Sequence, residues 1–275
     1  MALAATTMHR RLPPRFATAL ITFTLVLVVA AAVPTTVVLA VAFAGHTPWF
    51  DRQIEWCMHT IGDHEPVPTW LAALAAAWLP IGGVRVARVV RARRRLACRD
   101  HGPLVVADDP APYAVTMPGR GGRIVVSTGL MDSLDEREAA VVLAHEAAHA
   151  RFRHDRFVYL AGLVTAALPV LWFLTRRLRF SVERWADESA AETCGDRQFV
   201  AVTLGKVALI DTAPVAWAGF ANLNVFGRVR LLLMPPASPP RAPGQLALAV
   251  ALGLVGAATV QQLTHIPHLL HELCH

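Results

Sequence analysis

Four long apolar stretches punctuate this chain. Ala17 to Ala44 runs 28 residues without a charge, enough to cross a ~30 Å hydrocarbon core with tilt or with a kink at Pro34. Trp70 to about Val90 is a second span that contains Pro80 and requires Arg85 and Arg88 to snorkel. Gln245 to about Leu263 is a third, free of charge. The fourth, Phe157 to Leu174, lies between polar segments and carries Pro169, a point where a helix can bend. The first stretch has a basic lead-in (Arg10, Arg11, Arg15) and ends Ala42-Phe43-Ala44, as a cleaved signal peptide would. Its apolar run is about twice a normal signal core of roughly 7–15 residues, so it reads as an anchor.

Between the second and last spans the pattern changes to that of a water-exposed α+β unit. Strand signals lie at Leu104-Val105-Val106, Ala114-Val115-Thr116 and Arg123 to Ser127, with Pro118-Gly119 and Gly121-Gly122 marking a turn. A helix starting at Asp135 has its capping box completed by Glu138. A later helix can be terminated by Gly195. Met234 to Gly244 holds five prolines and reads as an extended linker. The expected organisation is a membrane region over residues 1–96, a cytoplasmic domain over 97–233 that includes the apolar segment 157–174, and a linker, span and external tail over 234–275. The fold class is mainly α with a small β-sheet, embedded among transmembrane helices. There is no internal repeat and no phosphate-binding glycine loop.

Composition agrees with a membrane protein: 55% of residues are hydrophobic and mean hydropathy is +0.43, too apolar for an ordinary soluble domain. Arg85, Arg88, Arg91, Arg93, Arg94, Arg95 and Arg99 cluster around the end of the second span, and Arg228, Arg230 and Arg241 precede the last. The loop between the first two spans has only Arg52. The positive-inside rule then gives a cytoplasmic N-terminus, an external loop, a cytoplasmic central domain and an external tail. The pI of about 9.9 reflects this topology and contact with anionic lipid. Nucleic-acid binding is not indicated, because the arginines are juxtamembrane and have neither interleaved aromatics nor a binding module around them. A single lysine among 26 basic residues points to a GC-rich, bacterial coding bias.

The densest chemical signal is His145-Glu146-Ala147-Ala148-His149 on the helix begun at Asp135. Four residues advance an α-helix about 6 Å and turn it about 400°, so both histidines project from one face and can hold one Zn²⁺. Glu146 lies beside them, placed to take a proton from a zinc-activated water without ligating the metal. The bland alternative is a helix that merely carries two histidines. A third ligand of the type His-x-x-Gly-x-x-His is excluded, since Phe152 and Asp155 occupy the required positions. The better source is Glu183-Arg184-Trp185-Ala186-Asp187, where two carboxylates stand one turn apart. One can bind zinc while the other accepts the free N–H of a ligand histidine and fixes its tautomer. The competing reading is a solvated acidic face, flanked by Arg184, Glu188 and Glu192.

The stretch from about Ala111 to Ala191 resembles the membrane-embedded gluzincin peptidases. These include the β-lactam-sensor (BlaR/MecR-like) metallopeptidases and the related HtpX-like and CAAX-prenyl endopeptidases. The matching elements are Arg123 to Leu130, the Leu134-to-His149 helix, and Glu183-x-x-x-Asp187 followed by Ser189-Ala190-Ala191. The resemblance implies a zincin-like domain and zinc-dependent endopeptidase activity. It also implies His145, His149 and Glu183 as ligands and Glu146 as catalytic base. His154 falls where such relatives often carry His or Asp; it either supports a ligand from behind or is a helix-end cation facing the dipole. In gluzincins an edge strand pairs with the substrate backbone, a role open here to either Ala114–Thr116 or Arg123–Ser127. No large external penicillin-binding sensor is expected, which puts antibiotic sensing in doubt.

If those ligands are right, Phe157 to Leu174 cannot cross the membrane once, since Glu183 would then lie on the opposite side from His145 and His149. It must re-enter, lie in the interface or form a buried helix. The second electrophile stays open among Arg184, Arg228, Arg230, His154, Tyr113 and Tyr159. Cys57 and Cys274 are expected outside the membrane, with seven of the twelve histidines, whereas Cys98 and Cys194 are expected inside and reduced. For that external surface three readings compete: a Cys57–Cys274 disulfide, a metal or pH sensor, and a plain amphipathic tail. Two function classes follow. One is a membrane zinc endopeptidase whose protein substrate is a transcriptional repressor or a quality-control target, with the bilayer as its other partner. The other is a non-catalytic membrane sensor or scaffold that keeps a structural zinc.

Overall fold

The computed structural model describes residues 12–45, 68–96, 104–119, 122–210 and 224–236, with 253, 256 and 257. Cys57, Cys98, Cys274, the histidines expected to be external, most of the proline-rich linker and nearly all of the last predicted span lie outside the described residues. The fold is mostly helical with one small mixed sheet.

Two helices open the chain, α1 (Pro14–Gly45) and α2 (Thr69–Leu96). Both are long and apolar enough to cross a membrane, and Pro34 and Pro80 lie inside them. Next come β1 (Leu104–Ala107), β2 (Ala114–Met117) and β3 (Arg123–Ser127). The remaining helices are α3 (Thr128–Asp132), α4 (Glu136–Arg151), α5 (His154–Ala167), α6 (Trp172–Cys194), α7 (Arg197–Ile210) and α8 (Val225–Leu232). Contacts divide the chain into two units. The first holds described residues 12–22, 89–165 and 169–236; the second holds 23–88 and 166–168.

The first unit carries the sheet and α4, α6, α7 and α8. Sheet order is β1-β3-β2, with β1 parallel and β2 antiparallel to β3. β3 is therefore paired on both sides, so the expectation that it could receive a substrate strand does not hold: its backbone N–H and C=O groups are already committed to its neighbours. β2 lies at an edge and packs along α4. Gly122, immediately before β3, has φ +68°, and a Cβ there would stand 2.9 Å from Ala150 Cα, so only glycine lets the backbone approach α4 this closely. Helix α4 meets α6 through small side chains, with Val141 and Ala144 against Ala190 and Ala191, and Val200, Ala201 and Leu232 complete that core. Short side chains let helix axes pack closely.

The apolar segment 157–174 is not one continuous helix. It breaks at Leu168, passes through a 3₁₀ turn at Pro169–Leu171, and restarts as α6. The proline lacks an N–H to continue the α5 ladder, leaving carbonyls at the helix end without intrahelical partners. In the second unit, Trp78 Nε1 donates to Ala167 O at 2.9 Å and Arg85 Nε to Ala166 O at 3.1 Å. Arg85 thus has a backbone acceptor to bind.

Candidate metal centre

Helix α4 begins as its sequence requires. Asp135 Oδ1 accepts from Glu138 N at 2.8 Å and Glu138 Oε2 accepts from Asp135 N at 2.9 Å, a closed capping box. The helix runs uninterrupted to Arg151, which puts His145 and His149 one turn apart on the face turned toward α6. Helix α6 ends at Gly195 in the left-handed conformation, φ 71°, with Gly195 N–H donating to Ala191 O.

Between the two helices, three side chains converge. His145 Nε2 and His149 Nε2 stand 3.1 Å apart, and the Glu183 carboxylate lies 3.6 Å from the first and 3.7 Å from the second. The donor atoms of these three residues all lie within 4.8 Å of one another. For bonds of about 2.0–2.1 Å, the edges of a tetrahedral zinc site are about 3.3 Å, close to the observed spacings. Two imidazole nitrogens and one carboxylate oxygen are also a donor set that suits Zn²⁺.

Asp187, one turn beyond Glu183, places Oδ1 3.1 Å from His145 Nδ1, close enough for strong attraction though not aligned as a straight hydrogen bond. On the other side of both carboxylates lies Arg228 from α8, only 2% exposed. Its Nε and Nη2 donate to Asp187 at 2.8 and 2.6 Å, and its Nη1 is 3.1 Å from Glu183 Oε2. Two carboxylates against one guanidinium leave a net negative charge in a buried cluster, which a cation would offset.

Electrostatics follow this arrangement. Burial alone would raise the Glu183 pKa, but Arg228 and His149 outweigh it and hold it down to about 2. Asp187 is lowered too, again by Arg228 against burial. Burial would lower His145, yet Asp187 and Glu183 prevail and push it up to about 10. His149 moves the other way, lowered chiefly by burial. The histidine next to the carboxylates thus attracts positive charge, as a cation site should.

His154 is fully buried, with Nδ1 3.1 Å from His149 Nδ1. Arg153 adopts φ 53°, and this left-handed residue turns the chain between α4 and α5 so that His154 folds back against His149. Trp185 and Phe152 pack on the ring at centroid distances of 4.8 and 5.9 Å. Burial drives its pKa down to about 3, so the ring is neutral and can accept a hydrogen bond.

Glu146 extends from the same helix toward β2, where Thr116 Oγ1 lies 2.7 Å from its Oε2. A cavity of about 620 Å³ opens beside His145, Glu146, His149 and Glu183, and Val142, Val158, Val200 and Leu204 contribute to its largely apolar wall.

Every described site residue expected from the sequence gathers here: His145, Glu146, His149, Glu183, Asp187 and His154. Of the candidate second electrophiles, Tyr113, Tyr159, His154 and Arg228 line the cavity, and Arg228 is taken up by the two carboxylates. Arg184 is buried with Nη1 3.5 Å from Leu12 O, and Arg230 is exposed; neither lines the cavity. The part played by Arg228 as counter-ion was not apparent from sequence, because it lies 41 residues beyond Asp187 with no local pattern to link them. Thr116 carries no signal in the sequence beyond its place in a strand that could dock substrate. A model of the family described as Peptidase family M48 matches residues 85–224, slightly more than half of the 275-residue chain, and this span contains both ligand helices, the sheet and the turn that returns His154. The chain belongs to peptidase family M48, a family of zinc metallopeptidases.

Proposed function

We propose that this chain is an integral membrane zinc endopeptidase of gluzincin type, in which His145, His149 and Glu183 hold the metal and Glu146 is the general base. The observation that carries this reading is the convergence of two imidazole nitrogens and one carboxylate within 4.8 Å, with Glu146 at the edge of the same cavity. When bound there, zinc supplies Lewis acidity, polarising the substrate carbonyl and lowering the pKa of a water to about 7. Glu146 accepts the proton of the attacking water and later delivers it to the leaving nitrogen. Asp187 keeps His145 in the tautomer whose Nε2 faces the metal position, and His154 accepts the Nδ1 proton of His149 to the same effect. The edge strand β2 pairs with the substrate backbone, extending the sheet by one strand.

Helices α1 and α2 anchor the chain in the bilayer, and the arginines at the end of α2 hold that end on the cytoplasmic side. Substrate then comes from the cytosol or the bilayer boundary. Of the substrates such a site could serve, a regulatory protein such as a transcriptional repressor fits a signalling role, and a damaged membrane protein fits quality control.

The decisive variant is Glu146→Gln. Zinc content and fold should be retained while casein cleavage falls at least about 10²-fold, the lower end for losing a general base. Purified full-length protein would be assayed for proteolysis and for metal by mass spectrometry. Undiminished cleavage by a zinc-loaded Glu146→Gln protein overturns the assignment.

A further inference from the structure

Thr116 stands on the edge strand β2, and its hydroxyl meets two oxygens of one residue. Oγ1 is 2.7 Å from Glu146 Oε2 and 2.9 Å from Glu146 backbone O. A threonine hydroxyl has a single proton to donate, so these two acceptors compete for it. While Glu146 is ionised the carboxylate wins, because a hydrogen bond to a charged acceptor is the stronger.

Strand formation does not require this hydroxyl. Valine is as good a strand residue and nearly the same shape. Thr116 is paired across the sheet with Ile124, and its methyl lies against Gly122, 3.6 Å from where a Cβ on that glycine would stand. Sheet register and Gly122 together hold the side chain, so Oγ1 reaches Glu146 from a fixed direction. Val115 and Met117, the flanking residues, offer no comparable donor.

Building on the reading of Glu146 as general base, we propose that Thr116 is its positioning residue: the hydroxyl holds Oε2, leaves Oε1 as the proton-accepting oxygen, and ties the orientation of the base to the edge strand that receives substrate. Such a contact raises the population of one carboxylate rotamer rather than binding substrate, so it should act on kcat. Because the same strand supplies the donor and the docking edge, displacement of β2 would disarm the base.

The test uses the full chain in detergent with quenched-fluorescent casein as probe, comparing Thr116→Val, Thr116→Ser and Glu146→Gln, and Thr116→Val in the Glu146→Gln background. Thr116→Val should lower kcat about tenfold, with KM within about twofold, zinc stoichiometric and the melting temperature little changed. Thr116→Ser, which keeps the hydroxyl, should recover most of the loss. In the Glu146→Gln background the valine should cost nothing further, since the group it positions is gone. Full kcat in Thr116→Val, or equal losses in Val and Ser, overturns the positioning role while a dead Glu146→Gln leaves the endopeptidase reading standing. If Glu146→Gln cleaves as fast as the parent, both fall. Should Thr116→Val fold poorly, the Ser variant decides: a tenfold loss there with a normal melt refutes the proposal.

Discussion

Helix α6 carries two carboxylate pairs with the same spacing and opposite fates. Glu183 and Asp187 are buried against Arg228 and face the histidines of α4, whereas Glu188 pairs with Arg197 near the surface and Glu192 is exposed, 4.0 Å from Arg15. Chemistry and i, i+4 spacing are identical. What separates them is a rotation of about 140° around the helix between Glu183 and Glu188, which turns one pair toward α4 and α8 and the other away. Spacing makes a pair act together; the direction its face points decides what it acts on.

The largest test of this contrast is metal binding. Glu183→Ala should abolish stoichiometric zinc, and Asp187→Ala should weaken affinity by about 10–100-fold as a lost supporting partner. Glu188→Ala and Glu192→Ala should bind zinc as the parent does. Metal titration of the four purified variants checks all of this at once, and a zinc-replete Glu183→Ala would erase the distinction between the pairs.

Next in size is the counter-ion. Removing Arg228 strands two buried carboxylates, and Arg228→Met should destabilise the fold by about 3–5 kcal/mol, the range for breaking a buried ion pair from one side. Chemical denaturation of the full chain in detergent reads this directly. The double variant Arg228→Met with Asp187→Asn should recover part of the loss, because one uncompensated charge is gone. No recovery would mean that Arg228 acts mainly through packing.

The smallest effect belongs to the outer pair. Arg197 also donates to backbone carbonyls at the end of α8, to Leu232 O at 3.1 Å and Leu231 O at 3.3 Å, so Glu188 orients an arginine that fastens α8 to α7. Glu188→Ala should cost no more than about 1 kcal/mol, in keeping with a partly solvated ion pair, and Glu192→Ala about zero. A larger loss at Glu188 would show that clamping α8, and with it Arg228, matters more than the pair itself.

Much of this site was legible in the chain because its signals are local. The H-E-x-x-H spacing, the Asp135–Glu138 capping box and the Gly195 stop each depend on neighbours within one or two helical turns, and helix geometry converts that spacing into direction with little ambiguity. The three strands were equally visible, from short β-branched runs bounded by turn residues. Their order was not. Pairing brings β3 between β1 and β2 and so takes away the substrate-docking role open to it from sequence, since hydrogen bonding between strands depends on neighbours in space.

The linear chain was enough to place two histidines on one helical face with a glutamate beside them, to offer paired carboxylates on a second helix, and to put two apolar helices ahead of both. These are consequences of periodicity, which a linear chain carries in full. Only packing decided that Arg228 pairs with both carboxylates, that His154 folds back on His149, and that Thr116 reaches Glu146 across a gap of 30 residues. Each of those contacts arises where two elements pack face to face. Which faces meet depends on burying apolar surface throughout the unit, not on the residues that happen to touch.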